Sequence, residues 1–333
     1  GIIGFGYWGP NIVRNFNNHP ECRIKYISDL DENARKRAAE QYPDVEVISD
    51  SSIIFNDVTV DIVAIVTPVS THYSLAMQSL DAGKHIFLEK PMVENIEQAD
   101  DLIRTAKTKN LLGSVDHTFL FTGAVKKIKE IVDSGEIGDI TYFDSVRVNL
   151  GLFQHDVDVI WDLAPHDLSI LFYITGDRPI SVTANGVDHL NNGHVDIAYL
   201  TLNYKSNMIA NFHVNWLSPV KIRKILIGGT KKMIVFDDME PSEKIKIYDK
   251  GVDLVEPEDI HNLLVKYRSG DMVSPEISPA EALKNEISDF VERIKLNVMS
   301  AENDLFHGRD IVEILEASNL SLKDQATINL LKN

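Results

Sequence analysis

Six residues near the start of the chain restrict its fold more than anything after them. Gly4-Phe5-Gly6-Tyr7-Trp8-Gly9 has the spacing G-x-G-x-x-G and follows the apolar pair Ile2-Ile3 without a break. Pro10 comes next, at a helix's first position, where no backbone N–H is needed. Ile12, Val13 and Phe16 then recur at helical spacing. Strand, glycine turn and helix in this order form the dinucleotide fingerprint. Gly4 permits the tight turn, Gly6 lets a pyrophosphate approach the backbone, and Gly9 lets helix and strand pack closely. The N–H groups of the helix start then face the phosphates. Glycines also mark ordinary turns, so the hexapeptide needs a second sign. Asp29 supplies it, ending the apolar run at 24–28, about 20 residues past the glycines, where a carboxylate binds the adenosine ribose. A negative charge there favours NAD over NADP, since it repels a 2′-phosphate. Arg35, Lys36 and Arg37 read as a solvated helix face.

Residues 1–118 continue to alternate strands with helices. Asp61-Ile62-Val63-Ala64-Ile65-Val66 is almost unbroken in its apolarity, as in a parallel strand covered on both faces, and Thr67-Pro68 ends it. A helix through Leu75, Ala76 and Leu80 stops at Gly83. His85–Leu88 is the next strand, Asn95 caps the next helix, and residues 111–115 close the sheet. The pattern predicts a doubly wound parallel sheet, an α/β Rossmann domain binding NAD(P) over 1–118.

After residue 118 the rhythm changes. A helix through Val125, Ile128 and Ile131 leads to a strand near 141–150, and a helix follows near 161–173. Strands then arrive without helices between them, near 180–187, 195–204, 207–216, 222–228, 232–237 and 244–248. Met208, Ala210, Phe212, Val214 and Trp216 alternate with polar neighbours, which describes a sheet with one packed face. Residues 251–278 read as irregular, and two helices near 279–296 and 308–323 finish the chain. A second domain of α+β class over 119–333, with a large mixed or antiparallel sheet, is the expectation. A length of 333 residues agrees with two cores.

Charge narrows the partners. A net charge of −17 argues against nucleic acid or an anionic membrane. No stretch reaches the ~18 apolar residues of a membrane span, and no signal-peptide pattern stands out. With Cys22 as the single cysteine, a reducing cytoplasmic setting is expected.

Two further stretches carry chemistry. Glu89-Lys90-Pro91 sits at the C-terminal end of a parallel strand, the edge where open α/β sheets bind ligands. Lys90 there is either a surface lysine before a turn or a group poised to act on substrate. Trp161-Asp162-Leu163-Ala164-Pro165-His166-Asp167 places Asp162 and His166 four apart, on one face of a helix that tolerates Pro165 in its first turn. A carboxylate and an imidazole so aligned can bind a hydroxyl and move its proton; a capping Asp and a buried His are the plainer alternative. His155, Asp156, Asp158, Asp162 and His166 are close enough in sequence to suggest a metal, yet no further ligand set assembles, so no metal is expected. Arg147 and Asn149 are candidate substrate contacts or an exposed sheet face, and Tyr267 with Arg268 a diphosphate contact or a loop ion pair.

Taken together, the hexapeptide at 4–9, Asp29, Thr67-Pro68, Glu89-Lys90-Pro91 and the Asp162/His166 pair resemble the Gfo/Idh/MocA family of oxidoreductases over nearly the whole chain. The resemblance implies that Lys90 and His166 are catalytic, with Asp162 their acidic partner, and that which of the two is the base stays open. It implies cofactor contacts from Gly4, Phe5, Gly6, Tyr7, Trp8, Gly9, Asp29, Thr67, Pro68, His72, Glu89 and Lys90. Substrate contacts would come from Lys90, Arg147, Asn149, Asp162 and His166. Gly9-Pro10-Asn11, residues 147–151 and the form W-D-L-A-P-H-D resemble the branch that oxidises or reduces C3 of nucleotide-linked sugars. Alternatives within the family are a free-sugar or inositol dehydrogenase and an NAD-dependent glycosidase; outside it, a cofactor-binding sensor without turnover. A homodimer or homotetramer through the second domain's sheet is implied as well. Asp116-His117 departs from the pattern, because many relatives carry a small or amide residue before the histidine.

Overall fold

The computed structural model describes residues 1–151, 156–249, 251–254, 265–268 and 270–330. The chain divides into two compact units: 1–121 with 280–316, and 122–279 with 317–333.

The first unit is built on six parallel strands. In chain order they are β1 (Ile2–Ile3), α1 (Gly9–Asn18), β2 (Tyr26–Ser28), α2 (Glu32–Gln41), β3 (Glu46–Ile48), α3 (Ser52–Asn56), β4 (Ile62–Ile65), α4 (Val69–Asp81), β5 (His85–Leu88), α5 (Ile96–Lys109) and β6 (Gly113–Val115). The sheet order is β3-β2-β1-β4-β5-β6, so the chain reverses direction across the sheet between β1 and β4. That switch point opens a crevice at the carboxyl ends of the strands. Asp31 caps α2 and Asn95 caps α5 through their side chains, but α1 has neither a side-chain cap nor an acidic residue in its first turn. Its N-terminal dipole is left for another anion.

Two contiguous domains were expected from the pattern, but the C-terminal helix α8 (Ala282–Leu296; α6 and α7 lie in the second unit) clusters with the first unit. The reason is its apolar stripe. Leu283, Ile287, Phe290 and Val291 join Ile12, Val13 and Phe16 of α1 in one core, and the Phe87 and Phe290 rings meet at 5.6 Å.

In the second unit α6 (Gly123–Asp133) leads to β7 (Ile140–Leu150) and α7 (Val159–Thr175). Then come β8 (Ser181–Val187), β9 (Ile197–Asn203), β10 (Ile209–Asn215), β11 (Leu217–Gly229), β12 (Met233–Asp237) and β13 (Ile245–Tyr248). Where an irregular stretch was expected, β14 (Gly251–Leu254) pairs with β15 (Val265–Arg268), and β16 (Met272–Val273) joins the edge of the large sheet. After α9 (Leu305–Asp324), β17 (Ile328–Asn329) completes the opposite edge. Among the described residues this sheet has nine strands, ordered β16-β13-β12-β11-β7-β10-β9-β8-β17. Only β7 and β10 run parallel; the other pairs are antiparallel, so the sheet is mixed. Alternation along β9 and β10 buries Ala198, Leu200, Leu202, Ala210, Phe212 and Val214 on one face. On the other, Tyr199 stacks on His213 at 4.4 Å.

Candidate active site

In the first unit most of the predicted cofactor residues fall in loops at the carboxyl ends of the strands, while Gly9 opens α1 and His72 lies in the first turn of α4. Gly4 closes β1 with a φ of +102°, and a Cβ there would lie 2.3 Å from the Val66 carbonyl oxygen. A Cβ on Gly9 would lie 2.5 Å from the Gly4 oxygen, so both glycines are fixed by contact within the protein. Gly6 differs: a Cβ would meet nothing within 4 Å, which leaves that turn open to a ligand. An open glycine turn leading into an uncapped helix start fits the pyrophosphate of a dinucleotide.

Asp29 does more than border this loop. Its Oδ2 accepts the Phe5 N–H at 2.6 Å and its Oδ1 the Asp31 N–H at 2.8 Å, so the carboxylate expected at the ribose also shapes the glycine turn. Arg35 donates to the backbone oxygens of Asp29 and Leu30 at 2.8 Å each, while Arg37 reaches the Phe5 oxygen at 3.3 Å. These cations brace the loop and are not merely a solvated face. Phe5 itself points into the core, edge-on to Tyr42, so a cofactor would meet only its backbone. Tyr7 lies 84% exposed. Trp8 is half-buried and donates its indole N–H to Asp116 Oδ2 at 2.7 Å.

The loops after β4 and β5 are tied together by His72. Its ring is buried, with Nε2 2.7 Å from the Thr67 oxygen and Nδ1 2.9 Å from the Pro91 oxygen. His72 therefore braces the loops that carry Thr67, Pro68, Glu89 and Lys90; its place is behind the crevice wall. Glu89 and Lys90 are half-buried, and the Glu89 N–H donates to Ile65 at 2.9 Å across β4 and β5. His117, just past β6, is wholly buried. Burial first, then the fields of His307 and Lys90, hold its imidazole well below the ordinary histidine value, so it is neutral beside the lysine.

In the second unit the predicted pair Asp162 and His166 lies on α7. Asp158 caps the helix, accepting the Ile160 and Trp161 N–H groups at 2.9 and 3.0 Å. Burial pushes that carboxyl above its ordinary range, against the pull of the two N–H groups. Because the helix begins at Val159, Pro165 falls in its second turn and not, as expected, in the first. The Trp161 carbonyl thereby loses its usual helical donor, one residue before Asp162. From 159 to 172 every residue of α7 is buried except Asp162 and His166. The spacing of four keeps both on the same open side. Asp162 is further fixed by Trp216, a fully buried residue between β10 and β11 whose indole N–H donates to Oδ2 at 3.0 Å. Nothing local in the sequence marked Trp216 for this task.

Arg147, read as a substrate contact or part of an exposed sheet face, is buried. Its guanidinium is buried and grips Asp167 in a fork, Nε to Oδ2 at 3.0 Å and Nη2 to Oδ1 at 2.6 Å, with Ser145 adding a third bond at 2.6 Å. The pair locks β7 to α7 one residue past His166. Arg147→Met leaves Asp167 buried without its cation, and is expected to lower unfolding free energy by about 3–5 kcal/mol. Urea unfolding checks this, and a drop below about 1 kcal/mol would show the pair to be dispensable. Asn149, on the same strand face, is half-buried, its amide beside Gly151. His155 and the side chains of Tyr267 and Arg268 lie outside the described residues. Among the described residues no three His, Cys, Asp or Glu side chains are grouped to hold a metal ion, and no helix is long and apolar enough to cross a membrane.

Comparison with known proteins adds the chain's relatives. An oxidoreductase-family profile described as a NAD-binding Rossmann fold matches residues 1–117. The Gfo/Idh/MocA C-terminal domain profile matches residues 125–235. UDP-N-acetylglucosamine 3-dehydrogenase of Acidithiobacillus ferrooxidans is 29% identical over 77% of this chain and 78% of its own. Myo-inositol 2-dehydrogenase of Thermotoga maritima is 27% identical over 75% and 78%. The solved structure of the Acidithiobacillus enzyme, GnnA, superimposes with a TM-score of 0.79 over 97% of both chains at 24% identity, a likeness of fold.

Proposed function

The chain belongs to the Gfo/Idh/MocA family of NAD-binding oxidoreductases, and on that premise we propose that it transfers a hydride at a sugar carbon, C3 of a nucleotide-linked sugar being the favoured substrate. The observation that carries this reading is the open side of α7. A helix buried everywhere else from 159 to 172 leaves a carboxylate and an imidazole only half-buried, one held in place by Trp216. Such a pair has little structural reason to stay open and suits a hydroxyl whose proton must move.

Bound NAD supplies the acceptor for the hydride. Within the chain, Gly6 and the start of α1 receive the pyrophosphate and Asp29 the ribose. Lys90 stabilises the oxygen that becomes a carbonyl. His166 takes the hydroxyl proton, and Asp162 orients the sugar beside it. NAD is favoured over NADP because the negative charge of Asp29 would repel a 2′-phosphate and Arg35 is already turned to backbone oxygens. The nucleotide-sugar preference rests on residues 9–11, 147–151 and 161–167 and on likeness to the Acidithiobacillus enzyme; the inositol dehydrogenase relative keeps free polyols in the panel. The single cysteine suits a cytoplasmic enzyme, and the outer face of the large sheet, where Tyr199 and Ile209 are exposed, suits a homodimer or homotetramer.

The test follows the absorbance of reduced nicotinamide with UDP- and dTDP-linked sugars, free sugars and inositols, using NAD and NADP in parallel. NADH formed with a nucleotide sugar, faster with NAD, is the expected result. Turnover with free polyols alone would discard the nucleotide-sugar reading, and redox-neutral cleavage of a glycoside would replace the dehydrogenase with a glycosidase.

A further inference from the structure

The departure noted at Asp116 leads to a buried polar cluster in the first unit that the reaction above does not use. Asp116 follows β6, and three groups converge on its carboxylate. Trp8, from the glycine loop, donates its indole N–H to Oδ2 at 2.7 Å. The Thr118 hydroxyl donates to Oδ1. Glu286, wholly buried on α8, sets its carboxyl beside that of Asp116 and within reach of the same Thr118 hydroxyl. Glu286 Oε1 accepts from Asn303 Nδ2 at 2.9 Å, but its Oε2 meets no donor. Two ionised carboxylates in contact away from water repel strongly, and an orphaned buried acceptor costs about 1–3 kcal/mol. A single proton on Glu286 removes both defects at once: Glu286 becomes the donor, and Asp116, the one remaining charge, accepts from three sides.

We propose that Asp116 and Glu286 are positioning residues for the cofactor loop, sharing one proton and holding the Trp8 indole so that the turn at 6–9 keeps its pyrophosphate-binding shape. Cofactor binding by the loop is the premise; the sugar's identity does not enter.

The remaining titratable groups around the pair do not substitute for this proton. On α8, Arg293 directs Nη2 at Ser114 and Asn303, at 2.6 and 3.2 Å, and Nε at Asp289. His117, next to Asp116, is neutral and faces His307, with Lys90 beyond it. Asp304 turns to the N–H groups of Ala301 and His307. Burial first, then the charge of Asp116, holds the Glu286 carboxyl well above its ordinary range. A group raised in the folded state contributes stability that is complete below its unfolded value and lost as pH rises through the folded one. The clamp is therefore closed on the acid side and opens toward alkaline pH.

Calorimetric titration of NAD into the wild-type protein, Glu286→Gln and Trp8→Phe, from about pH 6 to about pH 9.5, tests this. Wild-type Kd is expected to rise by about tenfold toward the alkaline end. Glu286→Gln keeps the hydrogen bond without a proton to lose, so its affinity should stay flat near the wild-type acid-side value. Trp8→Phe should bind several-fold more weakly at the acid end and lose the alkaline rise, with melting curves confirming that each variant is folded. Overturning results are a Glu286→Gln curve that rises as the wild type does, or Trp8→Phe binding as tightly as wild type with the same slope. If Glu286→Gln does not fold, the Trp8→Phe comparison decides alone. Wild-type protein that binds no NAD at any pH would instead overturn the loop assignment, and this inference with it.

Discussion

Lys90→Ala is expected to lower turnover by about a hundredfold to ten-thousandfold. That range is typical for losing a group that handles a proton or stabilises a developing oxyanion. Lys90 stands two residues beyond β5, on a loop braced through His72 and the Pro91 carbonyl, and its neighbour His117 is a neutral imidazole. An alanine removes the charge without disturbing that brace. His166→Ala, on the other unit, should produce a loss of similar size. If both residues serve one chemical step, the double variant will lose far less than the product of the single effects. The pH profile separates their roles. Losing the base should remove the acid limb of kcat, and losing the oxyanion partner should lower the rate at every pH. Turnover of Lys90→Ala within a factor of about two of wild type would remove the lysine from the mechanism.

Gly6→Ala and Gly4→Ala should separate binding from folding. Gly6 has an ordinary negative φ region available and open space where a Cβ would go, so alanine there is expected to leave stability unchanged or raise it by about 0.4–1 kcal/mol. The same methyl would occupy the approach of the pyrophosphate, and NAD affinity should fall by about a hundredfold. Gly4→Ala does the reverse. At a φ of +102° and 2.3 Å from the Val66 oxygen, the added carbon forces β1 away from the turn after β4, at a cost of about 1–3 kcal/mol or more in stability. Thermal melting with and without NAD reads both effects. Wild-type NAD affinity in Gly6→Ala would mean that the open turn is not where the cofactor lies.

The first unit was largely legible because its signals are local. Buried parallel strands read as unbroken apolar runs, and the glycine turn needs particular residues at three nearby positions. Asp162 and His166 were legible for the same reason: a spacing of four fixes their shared face once the helix exists. The strands of the second unit were legible from their period of two, whereas β14, β15 and β16 are too short to establish one.

Contacts between distant positions were not legible. Arg147 had the charge of a substrate ligand, and only the packing of β7 beneath α7 turned it onto Asp167. His72 read as part of the cofactor wall, yet two backbone oxygens claim its ring. Trp216 and Asp162 are 54 positions apart, Trp8 and Asp116 are 108 apart, and neither pairing has a local signature. The same holds for α8. It was read only as a closing helix, and nothing in its own stretch showed that Leu283, Ile287 and Phe290 would share a core with Ile12 and Val13 of α1. Sequence by itself determined the elements and the residues with chemical capacity, since periodicity, turn sterics and charge act over a few neighbouring residues. Tertiary structure alone decided which of those residues face outward and which brace the others, because burial and hydrogen-bond partnership arise only where remote segments meet.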